Sequence, residues 1–348
     1  MQKKFFLKYL VNNRTFITGI TGMVGSHLAD YLLHNTKLKV YGFCRWNSKL
    51  ENIFHLQKYE EIGRLELVYG DLQDANSLNK HIKQIKPKYI FHLAAHSYPT
   101  TSFISPHETL STNILGTLNL LESIKLNGLK KSIIHICSSS EVFGKVKKEN
   151  IPIKEDNHYH PASPYAISKV GVDLLGKYYS EAYGLNTQIT RMFTHTGPRR
   201  SEFFAESTFA KQIALIEAKK IPPVIHVGNL NSLRTICDVR DAVRAYYYVV
   251  KKRPIPGAVY NIGGSYSCTV KFLLEKLISI STVDKNKIKI KIDKKRLRPV
   301  DADLQVPSIK KFQKHTGWKP VIKFEDTMQD LLKYWRIQIK NSKNTYNR

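Results

Sequence analysis

Cysteine is scarce in this chain: four residues in 348, standing far apart as Cys44, Cys137, Cys237 and Cys268. No pair has the close spacing of a zinc ligand set, so no metal site is expected. Buried free thiols in a reducing cytoplasm account for them more simply than a disulfide framework does. The chain also lacks any run approaching the roughly 18 apolar residues of a membrane span, and no transmembrane helix is expected. Residues Met1 to Asn13 set Lys3, Lys4 and Lys8 around Phe5, Phe6 and Leu7, without the long apolar segment and small-residue cleavage site of a signal peptide. A basic extension ahead of the first strand is expected for residues 1–13, with a weak membrane-surface anchor as the alternative.

Acidic residues are few as well, 28 against 55 Lys and Arg, for a formal charge of +27. A field of that sign attracts nucleic acid, anionic lipid and nucleotide phosphates alike. The cations are scattered, with concentrations only at Lys145–Lys148 and from Lys285 to Arg298. The charge therefore speaks for polyanion attraction rather than specific nucleic-acid recognition. With 42% hydrophobic residues, the chain can bury one large core or two joined lobes.

What is present is a rhythm. Strand-like runs at Arg14–Thr18, Lys39–Cys44, Leu65–Tyr69, Tyr89–Leu93, Ser132–Cys137 and Thr187–Met192 alternate with helix-like runs at Val24–Asn35, Ala75–Ile85, Pro106–Asn127 and Pro164–Tyr183. This order predicts an α/β Rossmann fold, a doubly wound parallel sheet. After Met192 the rhythm gives way to a Gly-Pro-Arg-Arg loop, a helix near Phe204–Lys219, and segments broken by Pro222, Pro223, Gly228, Pro254 and Gly257. A dinucleotide-binding domain is expected over 14–191, with a return at about 232–262. A smaller α/β substrate lobe takes 192–231 and 263–340. Within it, Ile288, Ile290 and Ile292 alternate with Lys289 and Lys291, which predicts a strand with one buried and one solvated face. Fraying is expected beyond about Lys340.

At the first strand-to-helix junction stands Thr18-Gly19-Ile20-Thr21-Gly22-Met23-Val24-Gly25. Its glycines suit a tight turn, close approach of backbone to a pyrophosphate, and close packing of helix on strand. Dinucleotide contacts are expected at Gly19, Thr21, Gly22, Met23, Val24 and Gly25, and at strand ends at Arg45, Asp71, Leu72 and Leu93. The second strand ends in Arg45, with no carboxylate for ribose hydroxyls. A guanidinium there pairs with a 2′-phosphate, so NADP is expected, with NAD as the alternative. Asp71 is placed to accept from the adenine amino group.

In Ser163-Pro164-Tyr165-Ala166-Ile167-Ser168-Lys169, Ser163 reads as a helix N-cap and Pro164 as the first helical residue. Tyr165 and Lys169 then share one face. The helix N-terminus and the ammonium are expected to lower the phenol pKa, so that Tyr165 accepts a hydroxyl proton as hydride leaves carbon. The same spacing recurs at Tyr247/Lys251 and Tyr248/Lys252, where core packing and a solvated face are the simpler reading. Upstream, the fifth strand runs into Ser138-Ser139-Ser140-Glu141-Val142-Phe143-Gly144, where residues line the ligand crevice of a parallel sheet.

These residues resemble the extended short-chain dehydrogenases/reductases acting on GDP-sugars, from about Arg14 to Trp335. The phosphate loop, Ser138–Gly144, Ser163-Pro164-Tyr165-Ala166 and Pro198-Arg199-Arg200-Ser201-Glu202 carry the resemblance. The first half looks most like the GDP-mannose 4,6-dehydratases. The segments from Phe209 to Asp241 and Arg298-Pro299-Val300-Asp301 look more like the 4-keto reductases that follow them. The resemblance implies a hydroxyl role for Ser139, a base role for Glu141, and a redox pair in Tyr165 and Lys169. Ser140 stands where related dehydratases can place an aspartic acid, leaving Glu141 to protonate the leaving group as well. Ser97, Thr194, Arg199, Arg200, Arg234 and Arg298 are the expected substrate contacts, Arg234 and Arg298 at the pyrophosphate. Thr194, followed by His195, replaces the family's usual asparagine, and Met23-Val24 its Gln-Asp.

The implied reaction is 4,6-dehydration of GDP-mannose or a GDP-manno-heptose. A GDP-4-keto-sugar reductase or epimerase, needing no Glu141, is the alternative within the fold. A non-catalytic dinucleotide sensor or nucleic-acid binder is the alternative of another class. A homodimer or homotetramer is expected from the same resemblance.

Overall fold

The computed structural model describes residues 13–341. The basic extension, apart from Asn13, and the fraying expected past Asn341 lie outside the described residues. The first half builds β1 (Arg14–Thr18), α1 (Met23–Asn35), β2 (Lys39–Cys44), β3 (Leu65–Tyr69), α2 (Ala75–Ile85), β4 (Tyr89–His92), α3 (Gly116–Leu126), β5 (Ile133–Cys137), α4 (Pro164–Tyr183) and β6 (Asn186–Met192). Continuous apolar strands such as Tyr89–His92, buried at every position, demand cover on both faces of a sheet. Helices supply it. The chain continues through β7 (His195–Thr196), α5 (Ala205–Glu217), β8 (Val224–Val227), β9 (Leu233–Asp238), α6 (Val239–Lys251) and β10 (Ala258–Ile262). It ends with β11 (Tyr266–Thr269), α7 (Val270–Ser279), β12 (Lys289–Ile292), β13 (Leu304–Gln305) and α8 (Phe324–Asn341).

The large sheet has seven strands in the order β10-β6-β5-β4-β1-β2-β3, all pairings parallel. The order reverses between β1 and β4, and a ligand crevice opens beyond the carboxyl ends of strands at such a point. One face is packed by α1 and α6, the other by α2, α3 and α4. At the reversal the Thr18 hydroxyl accepts from the Leu93 and Ala94 amides at 3.1 Å each, tying the two strand ends together.

The smaller lobe holds β11-β9-β13 with β7 against β9, and the separate pair β12-β8. The return to the large sheet expected at about 232 begins later. β9 pairs antiparallel with β11 and parallel with β13, so only α6 and β10 rejoin the large sheet. The half-buried strand expected at Lys287–Asp293 is also corrected. β12 is exposed at all four positions, Ile292 at 63%, because it hydrogen-bonds β8 at an edge that no second layer covers among the described residues.

Four histidines sit inside this fold. Burial, then neighbouring cations, pushes His92 and His195 down to about 3, while burial and then Arg199 takes His27 to about 4. Burial and then His92 hold His135 at about 3. Each is neutral when folded but gains a proton below about 6.5 once unfolded. Their contribution to stability is therefore complete above about pH 6.5 and is lost as pH falls toward the folded values, at about 1.4 kcal/mol per histidine per pH unit. Denaturant melts at pH 7.5 and 5 are expected to show a marked loss at the lower pH; equal stability would contradict these protonation states.

Candidate active site

The crevice at the β1/β4 reversal widens into a cleft of about 1280 Å³ between the two lobes. The structure places every expected site residue on its wall: the phosphate loop, Arg45, Asp71, Leu72 and Leu93; Ser139, Glu141, Tyr165 and Lys169; Ser97, Thr194, Arg199, Arg200, Arg234 and Arg298.

Gly19 has φ +73°, and a Cβ there would lie 2.9 Å from the Ala94 backbone. A Cβ on Gly25 would lie 2.1 Å from the Gly19 carbonyl oxygen, so α1 abuts the loop too closely for any side chain. Gly22 is the N-cap of α1 and offers no side-chain cap, leaving first-turn amides directed to the cleft. An uncapped helix N-terminus on a glycine cradle fits a pyrophosphate. The Asn52 side-chain amide, which no motif in the sequence marks, steadies the loop by donating to the Thr21 carbonyl at 2.9 Å. Arg45 is exposed at the cleft rim, free to meet a 2′-phosphate.

On the other side of the reversal, Ser163 caps α4, its hydroxyl accepting from the Ala166 amide at 3.0 Å, and Pro164 opens the helix. This start fixes Tyr165 and Lys169 on the cleft-facing side. Lys169 Nζ donates to the Cys137 carbonyl at 2.8 Å and lies 5.9 Å from the Tyr165 ring centroid. Ser139 caps the turn at Ser140–Phe143, accepting from the Glu141 amide at 3.2 Å, and its hydroxyl also hydrogen-bonds Tyr165.

The expected lowering of the Tyr165 pKa is not what the structure shows. Burial raises it, the Ser139 hydrogen bond and Arg200 opposing, and Cys137 and Glu141 adding to the rise. Lys169 itself is shifted down by burial. Desolvation outweighs the ammonium because that group is spent on a carbonyl rather than on the phenol oxygen.

The sequence also gave no signal for Asn113, buried in a π-helical turn at Ser111–Leu115 within the expected Pro106–Asn127 helix. Its side chain accepts from the His96 amide at 2.7 Å and donates to Ser168 Oγ at 2.8 Å. Ser168 in turn donates to the Tyr165 carbonyl at 2.7 Å, so Asn113 braces the start of α4. A buried amide in an otherwise ordinary helix pattern is invisible until its partners are known.

The other two Tyr/Lys pairs lie on α6 and its C-cap Lys252, away from the cleft. Lys251 donates to the Tyr89 hydroxyl at 3.2 Å and Lys252 lies over the Tyr248 ring.

The expected substrate arginines divide. Arg199 is committed to Asp30 on α1 at 2.7 Å, and Arg200 to Glu206 at 3.0 Å while stacking on Phe204. Arg234, from β9, lies 3.4 Å from Asp301; Arg298 lies 3.5 Å from Glu141 and 3.8 Å from Asp301. Among the described residues no cluster of His, Cys, Asp or Glu is arranged to hold a metal ion.

A doubly wound sheet, a glycine cradle, and a Ser, Tyr and Lys constellation at the adjoining strand ends define an extended short-chain dehydrogenase/reductase. The GDP-mannose 4,6 dehydratase family model matches residues 16–331, and the chain belongs to that family. It is 31% identical to the GDP-mannose 4,6 dehydratase of Cricetulus griseus, over 91% of this chain and 89% of that one. It is 29% identical to the GDP-6-deoxy-D-mannose reductase of Pseudomonas aeruginosa, over 95% and 99%. Among solved structures it resembles RMD from Pseudomonas aeruginosa complexed with NADPH, at TM-score 0.78 and 28% identity, covering 94% of this chain and 99% of that one. The UDP-glucose 4-epimerase of Thermotoga maritima matches at TM-score 0.81 and 25% identity, covering 94% and 99%.

Proposed function

We propose that this chain is an NADP-dependent 4,6-dehydratase of a GDP-linked sugar, mannose or manno-heptose, forming the 4-keto-6-deoxy sugar. The Glu141 carboxylate carries this reading: it stands two residues beyond Ser139 on the wall that holds Tyr165 and Lys169. NADP, which the Gly19–Gly25 loop and Arg45 would hold, would supply a hydride acceptor for C4 and a hydride donor for C6, and its positive charge would favour the Tyr165 phenolate that burial alone disfavours.

Tyr165 takes the C4 hydroxyl proton, Ser139 hydrogen-bonds the same oxygen, and Lys169, held by the Cys137 carbonyl, orients and stabilises the charge. The C4 ketone acidifies the C5 proton. Glu141 removes it and delivers a proton to the C6 hydroxyl, which departs as water with the C6–O bonding pair; once hydride has returned to C6, the enolate takes a proton at C5 from solvent through Glu141, and Tyr165 releases its proton to solvent. Ser140 cannot share that work, having no carboxyl group. Arg234 and Arg298 are the cations for the diphosphate.

A 4-keto-sugar reductase is the second reading, supported by the relative named GDP-6-deoxy-D-mannose reductase. It needs Ser139, Tyr165 and Lys169 but not Glu141. Incubation with GDP-mannose or GDP-manno-heptose without added reductant separates the two. A product lighter by one water supports the dehydratase; unchanged mass for every sugar overturns it.

Arg45→Ala is expected to weaken NADP binding about tenfold, the worth of one charge-assisted contact, and to leave NAD binding little changed. Equilibrium titration with both cofactors checks this, and equal losses would assign Arg45 no part in the choice. Buried Cys44, Cys237 and Cys268, all free, support a reducing, cytoplasmic setting. Among the described residues no helix is long and apolar enough to cross a membrane. Assembly as a dimer or tetramer is supported by the exposed Ile167, Leu174 and Tyr178 along α4.

A further inference from the structure

On the smaller-lobe side of the cleft, four charges of alternating sign lie in a row: Glu141, Arg298, Asp301 and Arg234. The row is neutral overall, so neither arginine is a free cation toward a diphosphate. An entering dianion must take a guanidinium from a carboxylate that already holds it.

The two carboxylates are not held equally. Asp301 accepts from the Asn229 amide at 2.9 Å and the Ser232 hydroxyl at 3.3 Å, besides facing both arginines. Burial opposes its charge, yet Arg234 and Arg298 keep its carboxyl below the usual range. For Glu141, Arg298 is the one cation within 4.0 Å among the described residues, and the side chain is only 15% exposed. Asp301 therefore stays in place when the row is disturbed, and the Glu141 contact is the one that breaks.

We infer that Arg298 is an exchange partner: it holds Glu141 until the substrate diphosphate takes its guanidinium, which frees Glu141 for proton abstraction only when a nucleotide sugar is seated. The inference rests on the dehydratase reading, with Glu141 as base. It gives Arg298 two roles in sequence, restraining the base and then gripping the substrate, and ties the elimination chemistry to occupancy of the diphosphate site.

The test uses GDP, which carries the diphosphate but no sugar, titrated against the parent chain, Glu141→Gln, Arg298→Ala and the double variant. Glu141→Gln is expected to bind GDP about tenfold tighter, since one charged competitor for Arg298 is gone. In the Arg298→Ala background the same change is expected to have no effect. Unchanged or weaker GDP binding by Glu141→Gln overturns the exchange. So does a tightening that persists in the Arg298→Ala background, which would be plain repulsion between Glu141 and the ligand. Thermal melts confirm folding, and Arg298→Gln replaces Arg298→Ala should the latter not fold. Failure of this cycle leaves the dehydratase reading standing, whereas failure of that reading shows instead as unchanged sugar mass.

Discussion

Tyr165→Phe is expected to lower kcat about 10³-fold while leaving the fold and cofactor affinity close to those of the parent. The phenol is buried, and its ring is held by α4 rather than by its hydroxyl. Removing one oxygen therefore leaves the packing intact. What disappears is the acceptor for the C4 hydroxyl proton, and without it hydride departure would leave a protonated carbonyl in a desolvated cleft. Steady-state rates on the GDP-sugar, with a thermal melt and a cofactor titration alongside, check the result. A variant within tenfold of the parent would show that another group, Ser139 or a water, takes that proton. The Tyr247→Phe and Tyr248→Phe changes on α6 should leave the rate unaltered, because those hydroxyls do not reach the cleft.

Glu141→Gln is expected to stop water loss, by a factor of about 10³, while the C4 oxidation persists. The amide keeps the size of the side chain but cannot accept the C5 proton. Ser139, Tyr165 and Lys169 remain in place to make the ketone. Quenching with borodeuteride should then trap deuterium at C4 in a sugar that keeps its C6 oxygen. Full dehydration by this variant would remove Glu141 from the mechanism. A loss of C4 oxidation to the same degree would mean that Glu141 serves the redox step and not the elimination.

The large sheet was legible because its strands are buried on both faces and its helices carry strong punctuation. The Ser163 cap and Pro164 set the start of α4 to the residue, and the loop glycines fall where backbone meets backbone. Features that depend on contacts across the chain were not. The lysines of β12 alternate with isoleucines as a half-buried strand would, yet among the described residues nothing covers either face, since a period-two pattern reports a potential face and not a partner. Asn113 braces Tyr165 through Ser168, a chain of bonds between residues 55 apart in sequence. The upward shift of Tyr165 likewise comes from burial that no local spacing encodes. The proposed catalytic residues stand at strand-end and helix-start positions that local patterns mark, whereas the row joining Glu141 to Arg234 exists only once both lobes are folded.

The most direct measurement is the fate of a label at C4. GDP-mannose and GDP-manno-heptose deuterated at C4 are incubated with the chain and NADP, without added reductant, and the products are read by mass and by proton resonance. At least one of the two sugars is expected to give a 4-keto product lighter by one water that carries the deuterium at C6. Unchanged mass for both sugars, or a dehydrated product with no label at C6, would contradict the dehydratase reading.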